Sequence, residues 1–271
     1  MAKLFDTEDR IVPTWLAAAR YLHAQRPRRG KNLVLEILNP LDLTDEDHAV
    51  MAKVDRALMH CNLTLKTVAG TIFPVAMYRR YGRPGYYDKY KEMLNRGQAA
   101  NTWGTYAHRM IERPGKMPGV MINPLEYLVN KLAHQPQRAD GKEVSFAATY
   151  ELSVADPEED LQTEADAGGD VPTYNPAFDM REWLGLPCLS HLSFKRVPKD
   201  RGYAVDLTAI YRSHHYCARA LGNLLGLAQL LSFVAKESGL QVGTLSCLST
   251  HAELDVHKWG GVAVANVVLA V

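Results

Sequence analysis

The sequence predicts an α+β protein, and three observations carry that expectation. Helical periodicity with capping residues recurs through the first half of the chain. Alternating apolar and polar residues concentrate in the second half. One apolar run, Leu221 to Ala235, has the length of a buried helix rather than a strand. At 271 residues the chain is read as a single domain spanning 1–271.

Thr14–Gln25 (TWLAAARYLHAQ) reads as an amphipathic helix, with Thr14 the candidate N-cap. Arg26–Lys31 is a basic turn, and Asn32–Pro40 a strand that Pro40 stops. Thr44–Cys61 is a helix, because Thr44 can cap it and Asp45, Glu46 and Asp47 suit the helix dipole. LKTVAGTIFPVAMYRRYG fits helix or strand, with Pro74 limiting both. Gly85–Gly97 is an exposed helix ended by glycine. Ile122–Gln135 is another, with Asn123 as cap and Pro124 at its first position. Lys142–Val154 alternates as a strand, and the acidic, turn-rich stretch Ala155–Pro176 reads as an exposed loop. Gly185–Val197 and Tyr203–Ser213 form a hairpin around Pro198–Gly202. A buried helix over Ala218–Ser238 follows, closed by Gly239. The last two segments, Leu240–His257 and Gly260–Val271, read as strands.

The formal net charge is +1, so no global field gathers nucleic acid or anionic lipid. Any phosphate must be held by a few placed Arg or Lys side chains. The N-terminus has no apolar signal region, and the longest apolar run carries Asn223, Gln229 and Ser232, so no membrane span is expected. The four cysteines, Cys61, Cys188, Cys217 and Cys247, are scattered without a C-x-x-C pair. A reducing cytoplasm is the expected location.

The hairpin carries the chemistry. Its turn is centred near Asp200, equidistant from Cys188 and Arg212. Directly opposed residues of antiparallel strands hold their Cβ atoms about 4.5–5.5 Å apart. An unbulged register would therefore set thiol beside guanidinium, favouring the nucleophilic thiolate. The same guanidinium fork, with the Ser213 hydroxyl, can hold a phosphate. The plainer alternative is a buried thiol and a solvated arginine. A rival site is HAELDVH, where strand spacing puts His251, Glu253, Asp255 and His257 on one face as candidate metal ligands. His215 is a candidate proton shuttle.

LPC at Leu186–Cys188, then YRS at Tyr211–Ser213, then ARALGNLLGLAQLL and LQVG resemble thymidylate synthase in order and spacing. The resemblance is carried by Leu186–Gly243, with weaker echoes in WGTYAHR (Trp103–Arg109) and in RRGKNLVLEI near Arg29. It implies a large mixed β-sheet packed by helices, with a long buried helix after the catalytic hairpin. It further implies that Cys188 adds to C6 of a pyrimidine nucleoside monophosphate, making C5 nucleophilic toward a one-carbon unit from 5,10-methylenetetrahydrofolate. Arg212 and Ser213 would bind phosphate, Asn223 would read a uracil ring, and Arg29, Arg138 and Tyr106 would complete the substrate site. The family is homodimeric.

The chain also departs from the pattern. Glu253 and Asp255 stand where the family has a sugar-binding His and Tyr, and His215 where an acid holds the pterin. TVAGTIFPVA carries no carboxylate in place of the family's helix Glu, and most of the closing C-terminal segment is missing. Three functions stay open: a methyl- or hydroxymethyltransferase at C5, a non-catalytic nucleotide binder, and a metal-dependent hydrolase.

Overall fold

A computed structural model describes residues 2–97, 105–115, 117–134, 150–152, 188–200 and 202–270. Arg138, the acidic stretch 155–176 and most of the strand expected over 142–154 lie outside the described residues. In chain order the described elements begin with β1 (Lys3–Leu4), α1 (Ile11–Ala24), β2 (Arg29–Ile37), α2 (Asp45–Leu58), α3 (Leu65–Ile72), α4 (Val75–Tyr81) and α5 (Gly85–Gly97). They continue with α6 (Tyr106–Ile111), β3 (Arg113–Pro114), β4 (Met121–Ile122), α7 (Pro124–Ala133), β5 (Glu151–Leu152), β6 (Leu189–Lys199), β7 (Gly202–Tyr211) and β8 (His214–His215). A π turn at Tyr216–Ala220 leads into α8 (Leu221–Glu237), followed by β9 (Gln241–Glu253), a 3₁₀ turn at Val256–Trp259 and α9 (Val262–Leu269). Seven strands form a mixed sheet in the order β1-β2-β9-β7-β6-β5, with β8 beside β9, and β3 and β4 pair separately. The β1–β2 and β8–β9 pairs are parallel, and the β2–β9 and β5–β6 pairs antiparallel. The architecture is the α+β class predicted: a large mixed sheet packed by helices.

Local chemistry explains most boundaries. Thr44 Oγ1 accepts from Asp47 N at 3.3 Å while Asp47 Oδ2 accepts from Thr44 N at 3.0 Å, a reciprocal cap for α2. Asn123 Oδ1 accepts from Glu126 N at 3.0 Å, so α7 starts as predicted. Thr14, by contrast, is not a cap. The helix α1 begins at Ile11, and the Thr14 hydroxyl donates back to Arg10 O at 2.6 Å. The ambiguous segment becomes two helices, α3 and α4, separated at Pro74. The C-terminal run expected as a strand is the helix α9, which buries Ala265, Val268 and Leu269 at helical spacing.

The chain divides into two compact units. The first comprises Met1–Phe73, Thr208–Ser232 and Gly243–Val271. Its core holds Trp15 and Trp259 edge to face, ring centroids 6.2 Å apart. Their indole N–H groups donate to the carbonyls of Tyr216 at 3.2 Å and Cys217 at 3.1 Å, tying down the π turn that leads into α8. The stretch Tyr216–Glu237 is long and apolar enough to cross a membrane by length and composition, yet most of it is buried in the structure, as a core helix requires.

The second unit comprises Pro74–Leu207 and Phe233–Val242. Tyr86, Tyr87, Leu125, Leu128, Val129 and Phe233 are buried there. Arg83 binds Glu126 through Nε at 2.7 Å and Nη2 at 2.6 Å, and also reaches Asn130. Burial pushes the Glu126 carboxyl up, but bonds from Arg83, Tyr87 and Asn130 outweigh it and hold the group below its ordinary 4.5.

Candidate active site

Cys188 lies in the second unit, half-buried, in a bend immediately before β6. Its position is fixed by Tyr106 at the start of α6. The Tyr106 hydroxyl accepts from Cys188 N at 2.9 Å and from Leu189 N at 3.2 Å. The sequence expectation made Tyr106 a substrate ligand; in the structure its hydroxyl holds the backbone of the candidate nucleophile. We expect Tyr106→Phe to strand two N–H groups, one of them buried, at a cost of about 1–3 kcal/mol. Thermal unfolding should show that loss, and kcat should fall more than the substrate KM rises.

Along β6, Leu192 and Phe194 are buried, while His191, Ser193 and Lys195 share the opposite face around Glu151. Leu189 is buried too, so the alternation changes phase before His191. Burial pushes the Glu151 carboxyl up, but Lys195 and Ser193 bond it and hold it below the ordinary value.

Arg212, Ser213 and Asn223 lie in the first unit. β7 stops at Tyr211, so Arg212 and Ser213 form a half-buried bend rather than strand residues. Neither Cys188 nor Arg212 is in the ladder that the register arithmetic assumed. Thr250 Oγ1, on β9, donates to the carbonyls of Tyr211 at 3.3 Å and Arg212 at 3.2 Å, anchoring the bend. Sequence reasoning missed Thr250, because its partners are backbone atoms of a distant segment.

Asn223, near the start of α8, is only 4% exposed. Its Nδ2 lies 3.2 Å from His214 Nε2, and His214 Nδ1 lies 2.9 Å from Ser249 Oγ. His214 is buried and stacked on Tyr211 with 4.0 Å between ring centroids. Burial, with a smaller contribution from His215, depresses its pKa to about 3. The unfolded chain then takes up this proton near pH 6.5 while the folded chain refuses it until about pH 3. Stability from this group is complete above pH 6.5 and is lost as pH falls through that window, by up to about 1.4 kcal/mol per unit. Urea unfolding at stepped pH should show the slope, and His214→Phe should lack it.

The other expected ligands are engaged within the first unit. Arg29 Nη2 pairs with Glu253 Oε1 at 3.2 Å across β2 and β9. Asp255, 3% exposed, accepts from Cys217 N at 2.8 Å and turns its second oxygen toward His215 Nδ1 at 3.9 Å. The four-residue metal face does not form. β9 ends at Glu253, Asp255 turns inward, and His257 sits on the 3₁₀ turn. Among the described residues no group of three His, Cys, Asp or Glu side chains is placed to hold a metal.

The cysteines differ sharply. Burial pushes the Cys217 thiol far up and the Cys247 thiol to about 12, so neither offers a thiolate near neutrality. Cys61 and Cys188 are the two half-buried thiols. Cys61 Sγ is turned to backbone carbonyls, 3.3 Å from Leu58 O and 3.8 Å from Lys258 O.

No family model matches the chain. A protein of Methanococcoides burtonii provisionally named a thymidylate synthase is 25% identical over 173 residues, covering 64% of this chain and 62% of the relative. Relatives in Methanosarcina barkeri and Methanosarcina mazei, named in the same way, are each 34% identical over 74 residues, 27% of this chain and 32% of theirs. The chain thus spans less than two thirds of the curated relatives it matches. These similarities support a thymidylate synthase-like relationship.

Proposed function

We propose that this chain is a thymidylate synthase-like transferase that adds a one-carbon unit to C5 of a uridine-type nucleoside monophosphate. The observation that carries the reading is the buried Asn223 amide. Its nitrogen is bonded to His214, while its carbonyl has no hydrogen-bond partner among the described residues. A carbonyl held this way suits an N–H donor such as uracil N3–H. The similarity to the Methanococcoides burtonii protein supports it further.

In this reading the Cys188 thiolate forms a bond to C6, and the electrons of the C5–C6 double bond move into an enolate at C5 and O4. Methylenetetrahydrofolate would supply the one-carbon unit to C5, its carbon–nitrogen bonds breaking so that tetrahydrofolate leaves. The C5 proton leaves to a base, for which His215, beside the buried Asp255, is our candidate. Departure of tetrahydrofolate leaves a methylene on C5; water adds to it for a hydroxymethyl product, and elimination of the thiolate from C6 then restores the C5–C6 double bond. Arg212 and Ser213 hold the phosphate. His215 stands where a pterin-holding acid is expected, so a hydroxymethyl product, formed by water and needing no hydride, suits these residues better than methyl. The reading includes a homodimer in the cytoplasm, with Arg138 serving the phosphate site.

A 5-fluoro substituent cannot leave as a proton, so it traps the covalent adduct. Incubation with 5-fluorouridine or 5-fluorodeoxyuridine monophosphate, with and without methylenetetrahydrofolate, should add the nucleotide mass to the intact chain at Cys188. No Cys188-dependent adduct would sink the covalent mechanism. One observation favours a second reading, a nucleotide binder without turnover: Glu253 and Asp255 are consumed by Arg29 and Cys217 rather than left for a sugar. That reading expects Cys188→Ser to leave nucleotide affinity intact and no product ever to form.

A further inference from the structure

We propose that His214 and Ser249 are positioning residues that lock the direction of the Asn223 amide and so decide which pyrimidine the site accepts. The inference rests on the function proposed above and deepens it. An amide nitrogen only donates, so at 3.2 Å His214 Nε2 must be the acceptor. A neutral imidazole that accepts at Nε2 carries its proton on Nδ1, which then donates to Ser249 Oγ at 2.9 Å. Ser249 is fully buried on β9, and the His214 ring is clamped in plane by Tyr211, 2° from parallel.

Reversing the Asn223 amide would set its carbonyl against the Nε2 lone pair. Relief would need the opposite tautomer and a turned Ser249 hydroxyl together, among three side chains that are all buried. In this proposal the buried relay holds the amide one way, because amide, ring and hydroxyl can reverse only together. Uracil presents an acceptor at O4 and a donor at N3, and cytosine presents the reverse. A locked amide satisfies one of these edges and leaves buried groups unpaired against the other. The open carbonyl of Asn223, with its remaining N–H, is assigned to the uracil edge.

The test measures affinity of the full chain for uridine and cytidine monophosphates, in ribose and deoxyribose forms, by calorimetry. Wild type should prefer the uracil nucleotide by at least about tenfold. His214→Phe keeps the stacked ring but loses the relay, and Ser249→Ala loses its far end. Both should narrow the ratio to within about threefold, a change that a merely structural role would not produce. An unchanged ratio in folded variants overturns the inference and leaves the function standing. Wild type binding neither nucleotide overturns the function and the base selection together. ¹⁵N spectra of wild type read the relay without ligand or variant: a protonated Nδ1 and bare Nε2 on His214 are expected, and a protonated Nε2 overturns the inference.

Discussion

Cys188→Ser is expected to lower turnover roughly 10³-fold or more while leaving nucleotide affinity within about threefold of wild type. The reasoning is differential. Serine keeps nearly the same shape, so the Tyr106 bonds to Cys188 N and Leu189 N survive the exchange. Only the nucleophile weakens, since a hydroxyl is not ionised near neutrality. Cys61→Ser is the matched control. Cys61 is also half-buried, but its sulfur faces two carbonyls, so its loss should leave turnover unchanged. Product formation followed by mass spectrometry checks both variants. A Cys188→Ser protein within tenfold of wild-type rate would remove Cys188 from the chemistry. So would a Cys61→Ser protein as inactive as Cys188→Ser.

Local chemistry was legible in the sequence; tertiary closure was not. The Thr44 and Asn123 caps and the bounds of the Gly85–Gly97 helix follow from a few adjacent residues, and the structure forms them as read, although that helix, expected to be exposed, buries Tyr86, Tyr87 and Tyr90. Thr14 misled because Ile11–Pro13 extend the helix upstream and turn its hydroxyl back onto Arg10 O. The β-branched valines after Gly261 suggested a strand, yet burial of Ala265, Val268 and Leu269 makes a helix. At the site, the same limit applies. The sequence pointed to Cys188, Arg212, Ser213 and Asn223 through motif order. It could not show that Cys188 and Arg212 stand in bends outside the strands, because the phase change between Leu189 and His191 leaves no composition signal. His214 and Ser249 were invisible as a pair, being 35 residues apart and meeting only through parallel pairing of β8 with β9.

Gly222→Ala and Gly226→Ala should each destabilise the protein by about 1–3 kcal/mol, although alanine is the better helix former by about 1 kcal/mol. Both glycines lie on the face of α8 that meets α3. A Cβ on Gly222 would fall 2.6 Å from Val68 Cβ and 2.7 Å from its Cγ1. One on Gly226 would fall 2.8 Å from both Ala69 O and Ile72 Cβ. The nearest obstacles, Val68 Cβ, Ala69 O and Ile72 Cβ, are backbone and Cβ atoms, which no rotamer change can move. Trimming Val68 or Ile72 to alanine should therefore give little rescue. Gly70, within α3 itself, has nothing within 4 Å of its would-be Cβ. Gly70→Ala should accordingly stabilise, by roughly 0.5–1 kcal/mol. Opposite signs for the same chemical change on two touching helices isolate the close approach from helix propensity. The consequence reaches the site, because Asn223 follows Gly222 directly. Pushing α8 off α3 moves the amide away from His214 Nε2, so Gly222→Ala should also weaken uridine monophosphate binding even where it remains folded. Urea unfolding read beside nucleotide calorimetry checks the pair, and a stabilised Gly222→Ala protein would show that the two helices do not cross this closely.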